Sequence, residues 1–175
     1  RQRQMCIRDR DMRFVLDELL EVQKVFQKYE NYKELDEQTF YQIVDEANRF
    51  ACEVILPTNQ IGDKQGCTRH SNGDVTTPDG FKSAYDAYVN AGWPTLSCDP
   101  DYGGQGLPQI INTVLYEMLN STNQAWTMYP GLSHGAYECI HAHGTLQQKE
   151  KYLKKLVSGH WTGTMLSLIH ISEPT

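Results

Sequence analysis

The feature that most constrains the fold of this chain is a stretch of 21 residues that carries one acidic or basic side chain besides its histidines. Residues 123–143 read NQAWTMYPGLSHGAYECIHAH, and Glu138 is that one charged residue. A helix that is apolar or small on every side is typical of a buried element, because each of its faces can then contact apolar neighbours. The stretch therefore predicts a buried central helix with a bend at Pro130, where the ring disturbs the helical hydrogen bonds.

The flanking segments have apolar residues at the three- and four-residue spacing of amphipathic helices. Asp36, Thr77 and Thr145 lie in positions that favour helix N-caps. Pro57 is placed to end the second helix, and Asn72-Gly73 predicts a small β-hairpin. The predicted helices cover residues 11–28, 36–57, 77–92, 108–119, 123–143 and 145–159. The chain is thus expected to be mostly α, a helical bundle of about five or six helices with one β-hairpin.

Composition narrows the class of protein further. A length of 175 residues is enough for one domain. The net charge of −6 argues against nucleic acid as a partner. No apolar window is long enough to span a membrane. The cysteines are odd in number and form no C-x-x-C pair, which favours reduced thiols in the cytoplasm over disulfides or zinc. They are Cys6, Cys52, Cys67, Cys98 and Cys139.

The two ends differ from the rest of the chain. Residues 1–10, RQRQMCIRDR, have a net charge of +3, whereas the body, residues 11–165, has a net charge of −8. Residues 166–175, LSLIHISEPT, show no period. Both strings resemble translated sequencing-adapter read-through, and we expect both to be non-native; the alternative is a basic arm and a terminal strand. The expected domain is therefore 11–165.

Several side-chain groups are candidates for chemistry, each with a plainer alternative. The glycines of Asp101–Gly106 indicate either a loop against a ligand or a tight turn, and the spacing favours the turn. His134, His141 and His143 cannot all face one metal from a straight helix, so ordinary histidines are favoured over a metal site. Four lysines between Lys149 and Lys155 fit a phosphate patch or a solvated helix face equally well. No spacing typical of a nucleophilic or carboxylate-pair active site is present.

The uncharged stretch also has large apolar residues beside glycines. Trp126, Met128, Tyr129 and Leu132 flank Gly131 and Gly135, and such a mixture either walls an apolar pocket or forms ordinary core. These residues alone do not distinguish the two.

Two motifs together resemble the N-terminal helical domain of acyl-CoA dehydrogenases. The segment GWPTLSCDPDYGGQGLPQ is similar to the family's Trp-Pro…Pro-x-x-Gly-Gly-x-Gly-Leu loop. The segment HAHGTLQQKEKYLKKLVSGHWTGTM is similar to its helix of the form G-T-x-x-Q-K-x-x-Y-L-x-K-L-x-S-G-x-W-x-G. The segments RDMRFVLDELL and GCTRHSNGDVTTPDGFKSAY resemble the subgroup that includes methylmercaptopropionyl-CoA dehydrogenases.

The resemblance implies α,β-dehydrogenation of an acyl-CoA thioester. A carboxylate base removes the α-proton, and the β-hydride passes to N5 of FAD. The flavin and the base are expected mainly in a β-barrel middle domain and a helical C-terminal domain. Since the catalytic Glu is absent, we expect no catalytic residue in this chain, which by itself should be inactive and hold no FAD. Ser172-Glu173-Pro174 is taken as a chance likeness to the family's Thr-Glu-Pro motif.

The resemblance also implies which residues contact substrate and which partners take part. The candidates for acyl contacts are Trp126, Thr127, Met128, Gly131 and Leu132, with Tyr102 in the loop beside them. The implied partners are the acyl-CoA substrate and an electron-transfer flavoprotein or another acceptor, and the full-length enzyme is expected to be a homodimer or homotetramer. A non-enzymatic helical interaction module is the alternative, but it leaves the two motifs unexplained together.

Overall fold

The computed structural model describes residues 7–164, so the expectations for residues 1–6 and 165–175 lie outside the described part. Residues 7–164 contain six α-helices, a two-stranded antiparallel sheet and short π-helical and 3₁₀ segments. The helices are α1 (Val22–Phe26), α2 (Glu37–Phe50), α3 (Leu56–Gln65), α4 (Phe81–Asn90), α5 (Gln109–His143) and α6 (Leu146–Val157). The strands are β1 (Thr68–Arg69) and β2 (Val75–Thr76). The prediction of a mostly helical fold with one hairpin is confirmed.

The chain divides into two compact units, with the boundary after Ile43, inside α2. In the first unit, the prediction of one continuous helix over 11–28 is wrong. Two π-helical segments, Ile7–Met12 and Phe14–Leu19, precede α1, and Glu21 takes a left-handed conformation (φ 47°) between them and α1. Leu16, Val22 and Phe26 are all buried. Leu16 and Val22 are six residues apart and would face different directions on one helix, so the break lets both enter the core.

The start of α2 follows the prediction. The Thr39 N–H donates to Asp36 Oδ1 at 2.7 Å, and this bond lowers the pKa of the Asp36 carboxyl. The hairpin is confirmed as well, with Thr68 opposite Thr76 and Arg69 opposite Val75. Gly73 in its turn has φ 91°, a conformation that glycine adopts without strain.

Pro57 does not end the helix, contrary to the prediction. The helical backbone continues from α2 through a π-helical segment, Ala51–Ile55, into α3, which ends at Gln65. Pro57 lies in the first turn of α3. A proline there removes no hydrogen bond that the new helix needs, which explains why the chain continues. The third predicted helix likewise begins later than expected, at Phe81 rather than after Thr77.

Helix α5 is the central element of the second unit and packs against α3, Ala51–Ile55 and α6. It joins the predicted helices over 108–119 and 123–143, and its backbone is interrupted at Asn123 (φ −156°, ψ 92°) rather than at Pro130. Its inner side supplies core residues, among them Ile111, Leu115, Leu119 and Trp126. None of the helices in residues 7–164 combines the length and apolar character that crossing a membrane requires.

Candidate functional site

The second half of α5 (residues 124–143) presents an exposed stripe of uncharged residues, which lies beside the exposed Glu138 and His143. Its residues repeat at three- and four-residue steps and are small or apolar; all are exposed except the half-buried Leu132. Met128 is the largest of them and is 60% exposed. We call this surface the outer α5 face: Ala125, Met128, Leu132, Gly135, Cys139 and Ala142. A continuous uncharged stripe on one helix is the type of surface that contacts an apolar ligand or a partner.

The structure divides the predicted acyl-contact residues between the two sides of α5. Trp126 and Thr127 are each 2% exposed and point into the core. The Trp126 indole N–H donates to the Phe81 carbonyl at 3.1 Å, and the Thr127 hydroxyl donates to the Asn123 carbonyl at 2.8 Å. Met128 and Leu132 belong to the outer α5 face. The predicted set is therefore not one surface.

The two glycines of this helix do not serve close packing. A Cβ on Gly131 would meet only the Tyr116 ring, at 3.5 Å, which is ordinary contact. A Cβ on Gly135 would meet no atom of residues 7–164 within 4 Å. Both positions therefore have space beside them, although glycine in a helix interior costs about 0.5–1 kcal/mol relative to alanine.

The segment that follows α6 lies against the same half of α5. The Tyr129 hydroxyl donates to Thr162 Oγ1 at 3.1 Å, and the Gly163 N–H donates to Ser133 Oγ at 3.1 Å. A Cβ on Gly163 would come within 2.4 Å of the Ala136 Cβ, so only glycine fits at this crossing. This close contact between Gly163 and α5 explains why the motif has a glycine two residues after Trp161.

Tyr102 lies away from the other candidates. Its ring contacts His141, with centroids 6.0 Å apart. His141 is 15 residues beyond Trp126 on the same helix, a separation of about 22 Å along its axis. The structure therefore places Tyr102 near the C-terminal end of α5, on the side of His141, and not beside Trp126.

The glycine-rich loop is a tight turn held by α5. The Asp99 N–H donates to Tyr137 Oη at 2.8 Å, and His141 Nε2 lies 3.1 Å from Asp99 Oδ2. A hydrogen bond from the Asp101 N–H, followed by the one from His141, lowers the pKa of Asp99. A Cβ on Gly104 would overlap the Cys98 carbonyl oxygen at 1.9 Å. The glycines thus allow close approach of backbone to backbone, as the turn interpretation predicts.

The interior beside the loop is aromatic and partly polar. Tyr137 stacks between His134 and His141, with centroid distances of 5.9 and 5.4 Å. Burial lowers the pKa of His134 despite the nearby Glu138. Burial raises the pKa of the Cys98 thiol to about 12, so this thiol is not a nucleophile near neutral pH. In the described part of the chain no group of three or more His, Cys, Asp or Glu residues is placed to hold a metal.

The cavity beside the glycine-rich loop is too small for a flavin. This cavity is lined by Tyr88, Tyr116, His134 and Tyr137 and has a volume of about 20 Å³. Such a space accommodates about one water molecule, whereas small-molecule pockets are roughly 300 Å³ or larger. A separate and more open hollow, lined by Asp86, Asn90, Ser158 and His160 among others, has a volume of about 390 Å³.

Two residues that sequence reasoning missed organise this half of α5. Asn123 interrupts the helix, and its side chain reaches Thr58 on α3. An asparagine within an otherwise apolar stretch was the available signal, since Asn is a favoured N-cap residue. The importance of Thr58 had no local signal, because its partner is 65 positions away.

These observations define a helical domain that presents an uncharged helix face and a tight glycine-rich turn. The family model for the acyl-CoA dehydrogenase N-terminal domain matches residues 37–160. The chain belongs to this family, as the sequence motifs predicted.

Individual relatives agree with this assignment. The chain is 35% identical over 165 residues to a 3-methylmercaptopropionyl-CoA dehydrogenase of Ruegeria pomeroyi, covering 94% of this chain and 27% of that protein. Thus it spans about a quarter of the length of that relative. The structure of butyryl-CoA dehydrogenase from Megasphaera elsdenii matches with a TM-score of 0.57 and 21% identity, over 70% of this chain and 30% of that one.

A second solved structure shares the fold. A structure described as the electron transferring flavoprotein of Acidaminococcus fermentans matches with a TM-score of 0.58 and 23% identity, over 74% of this chain and 31% of that one.

Proposed function

We propose that this chain is the N-terminal helical domain of an FAD-dependent acyl-CoA dehydrogenase and that the outer α5 face walls the acyl side of its substrate pocket. The proposed reaction is α,β-dehydrogenation of an acyl-CoA thioester of the fatty-acid or methylmercaptopropionyl type. Membership of the family supports the reaction class. The 35% identity to the Ruegeria pomeroyi protein named 3-methylmercaptopropionyl-CoA dehydrogenase supports the substrate class.

The observation that carries the proposal is the chemistry of the outer α5 face. An acyl chain is an uncharged, flexible ligand, and its affinity comes from burying apolar area, worth about 25 cal/mol per Å². A wall for such a ligand needs apolar side chains and no charge, with room beside them. Met128 and Leu132 supply the apolar contacts, and the open space at Gly131 and Gly135 supplies the room.

The same proposal assigns the flavin and the catalytic base to other domains of the enzyme. The cavity beside the glycine-rich loop has only about 20 Å³, and we do not place the flavin in it. The role of this chain is then to bind and orient the acyl group and to exclude water from one side of it. Two members of the predicted contact set, Trp126 and Thr127, act from the core by supporting the helix that carries the wall.

The partners follow from the same proposal. The acyl-CoA is the substrate, and electrons leave through an electron-transfer flavoprotein or another acceptor. We further propose a homodimer or homotetramer of the full-length enzyme, located in the cytoplasm. The location is supported by Cys52, Cys67, Cys98 and Cys139, which are free thiols.

The proposal can be tested in a hybrid enzyme. Residues 11–165 of this chain replace the segment of the Ruegeria pomeroyi relative that they match. We expect the hybrid to oxidise acyl-CoAs, and Gly131→Leu to reduce kcat/KM for long acyl chains more than for short ones. A methylene in such a pocket is worth roughly 1–3 kcal/mol, so the ratio should shift by about tenfold.

A matched control is Glu117→Leu, which adds a leucine to an exposed position of α5 before Asn123. It should leave the chain-length preference unchanged. A well-folded hybrid that binds flavin but oxidises no acyl-CoA would contradict the proposed function and favour the interaction module. A hybrid whose preference is equally insensitive to both substitutions would contradict the acyl-wall assignment.

A further inference from the structure

The interruption of α5 at Asn123 is buried and is stabilised by specific side-chain contacts. Asn123 is 2% exposed, and its backbone is extended within an otherwise helical element. Its neighbours Thr122 and Thr127 are equally buried. A break in a helix interior leaves backbone groups without helical partners, so a buried break persists only where side chains supply them.

The Asn123 side chain supplies one of these partners. The Trp126 N–H donates to Asn123 Oδ1 at 3.1 Å, the bond that an N-cap residue makes to the third residue of a new helix. Because a backbone N–H can only donate, this contact sets the orientation of the Asn123 amide. The amide nitrogen must then face the other way, where it donates to Thr58 Oγ1 at 2.9 Å.

Thr58 completes the arrangement from α3. Its hydroxyl has one proton, which it donates to the Ile55 carbonyl at 2.7 Å, so it can accept the bond from Asn123. The side chains of Asn123 and Thr58 thus connect the second half of α5 to α3. An aspartate at position 123 would keep the cap but bring a second oxygen, with no proton to donate, toward the Thr58 hydroxyl.

This connection lies directly before the outer α5 face. Trp126, three residues after Asn123, is held in turn by its bond to Phe81 and by an edge contact with Tyr88 at 5.6 Å. Met128 and Leu132 follow on the exposed side within two turns. The start of the second half of α5 is therefore fixed by the contacts of Asn123 and of Trp126. These contacts define where along the helix axis, and in which direction, the outward residues lie.

We propose that Asn123, held by Thr58, is a positioning residue that sets how the outer α5 face is presented and thereby tunes acyl-chain preference. The part that concerns acyl chains rests on the proposed function. The structural part does not, since it concerns only contacts within this chain. The two parts are therefore tested separately.

The first test uses the 175-residue chain and amide hydrogen exchange. Asn123→Asp keeps the cap and loses the bond to Thr58, and Thr58→Val removes the same bond from the α3 side. Both should speed exchange of the amides of residues 124–132 by about threefold or more, and Asn123→Ala by about tenfold. The amides of α6 should not change.

Asn120→Asp is the matched control, because Asn120 lies on the same helix, is exposed and donates a local hydrogen bond to the Tyr116 carbonyl at 2.8 Å. It should leave exchange at residues 124–132 as in the unchanged chain. If Asn123→Asp and Thr58→Val leave these amides unchanged, or speed exchange equally in α6, the positioning proposal is overturned.

The second test uses the hybrid enzyme. Asn123→Asp and Thr58→Val should shift the ratio of kcat/KM between long and short acyl-CoAs in the same direction, by about threefold or more, while Asn120→Asp does not. A lower melting temperature with an unchanged ratio would mean a structural role only and would overturn the proposal. If the unsubstituted hybrid oxidises no acyl-CoA, the proposed function fails. The hydrogen-exchange results then decide by themselves whether Asn123 positions the second half of α5.

Discussion

At the scale of single residues, the two α5 glycines separate a packing role from a pocket role. A glycine retained for close helix packing has neighbours where its Cβ would be, as Gly163 has. Gly131 has one ordinary contact and Gly135 has none. These positions thus carry the conformational cost of glycine without a packing reason among the residues that the structure describes.

This contrast predicts the effect of alanine on stability. Gly131→Ala should raise the free energy of unfolding by roughly 0.5–1 kcal/mol, because alanine is a better helix former and its Cβ fits beside Tyr116. Urea unfolding of the 175-residue chain measures the change. Gly163→Ala is the control and should destabilise, since its Cβ overlaps Ala136. A loss of stability in Gly131→Ala would show that Gly131 is needed for close packing.

The pKa of Asp99 predicts a pH dependence. Because this pKa is lowered in the folded chain, the ionised carboxylate contributes stability above its unfolded pKa, and that contribution is lost as the pH falls through the folded pKa. Asp99→Asn should therefore lower the melting temperature near neutral pH, and the difference should shrink as the medium becomes strongly acidic.

Melting curves of both proteins over a pH series measure this difference. Asp101→Asn, an exposed position on the same turn, is the control and should have a smaller effect near neutral pH. A difference between the unchanged chain and Asp99→Asn that persists into strong acid would show that the carboxylate charge is not what holds the loop.

At the scale of elements, α6 is the helix whose start is most fully specified. Thr145 accepts a bond from the Gln148 N–H at 3.3 Å, while the Gln148 side chain accepts from the Thr145 N–H at 2.8 Å. This reciprocal pair is a capping box. At the other end Lys155 lies over the Trp161 ring at 3.9 Å, which gives one of the four lysines between Lys149 and Lys155 an internal contact.

The capping box predicts a measurable cost. Thr145→Ala should lower the free energy of unfolding by about 1 kcal/mol, because it leaves the Gln148 N–H without its side-chain acceptor. Chemical denaturation measures the loss, and Thr145→Ser, which keeps the oxygen, should recover most of it. Equal stabilities of the alanine and serine variants would exclude the cap as a source of stability.

At the scale of the whole molecule, the chain matches only a part of its relatives. It spans 27% of its Ruegeria pomeroyi relative. The outer α5 face lies open on this domain, and we propose that it is covered by substrate and by the other domains in a complete enzyme.

The purified 175-residue chain should therefore hold no FAD and oxidise no acyl-CoA. The reason is that the flavin and the base are assigned to other domains. Visible absorption after gel filtration in the presence of added FAD measures retention, and the hybrid enzyme is the positive control. A flavin spectrum that comigrates with the isolated chain would contradict this expectation.

Much of the fold could be predicted from the sequence because its signals are local. Apolar spacing identified the helices, Asn72-Gly73 identified the hairpin, and Asp36 and Thr145 identified two caps. These features depend on residues within four or five positions of each other, so their physical causes are visible in the sequence. The uncharged character of residues 123–143 likewise indicated the helix that carries the candidate site.

Features that depend on contacts between residues far apart in the sequence could be seen only in the tertiary structure. The sequence alone determined that residues 123–143 form a helix with little charge, but not that Trp126 and Thr127 face inward while Met128 faces outward. That division follows from the break at Asn123, which exists because Thr58, far away in the chain, satisfies its amide. Pro57 is likewise accommodated by a π-helical stretch before it. Periodicity shows that a helix has two sides, and only its packed neighbours determine which side is buried.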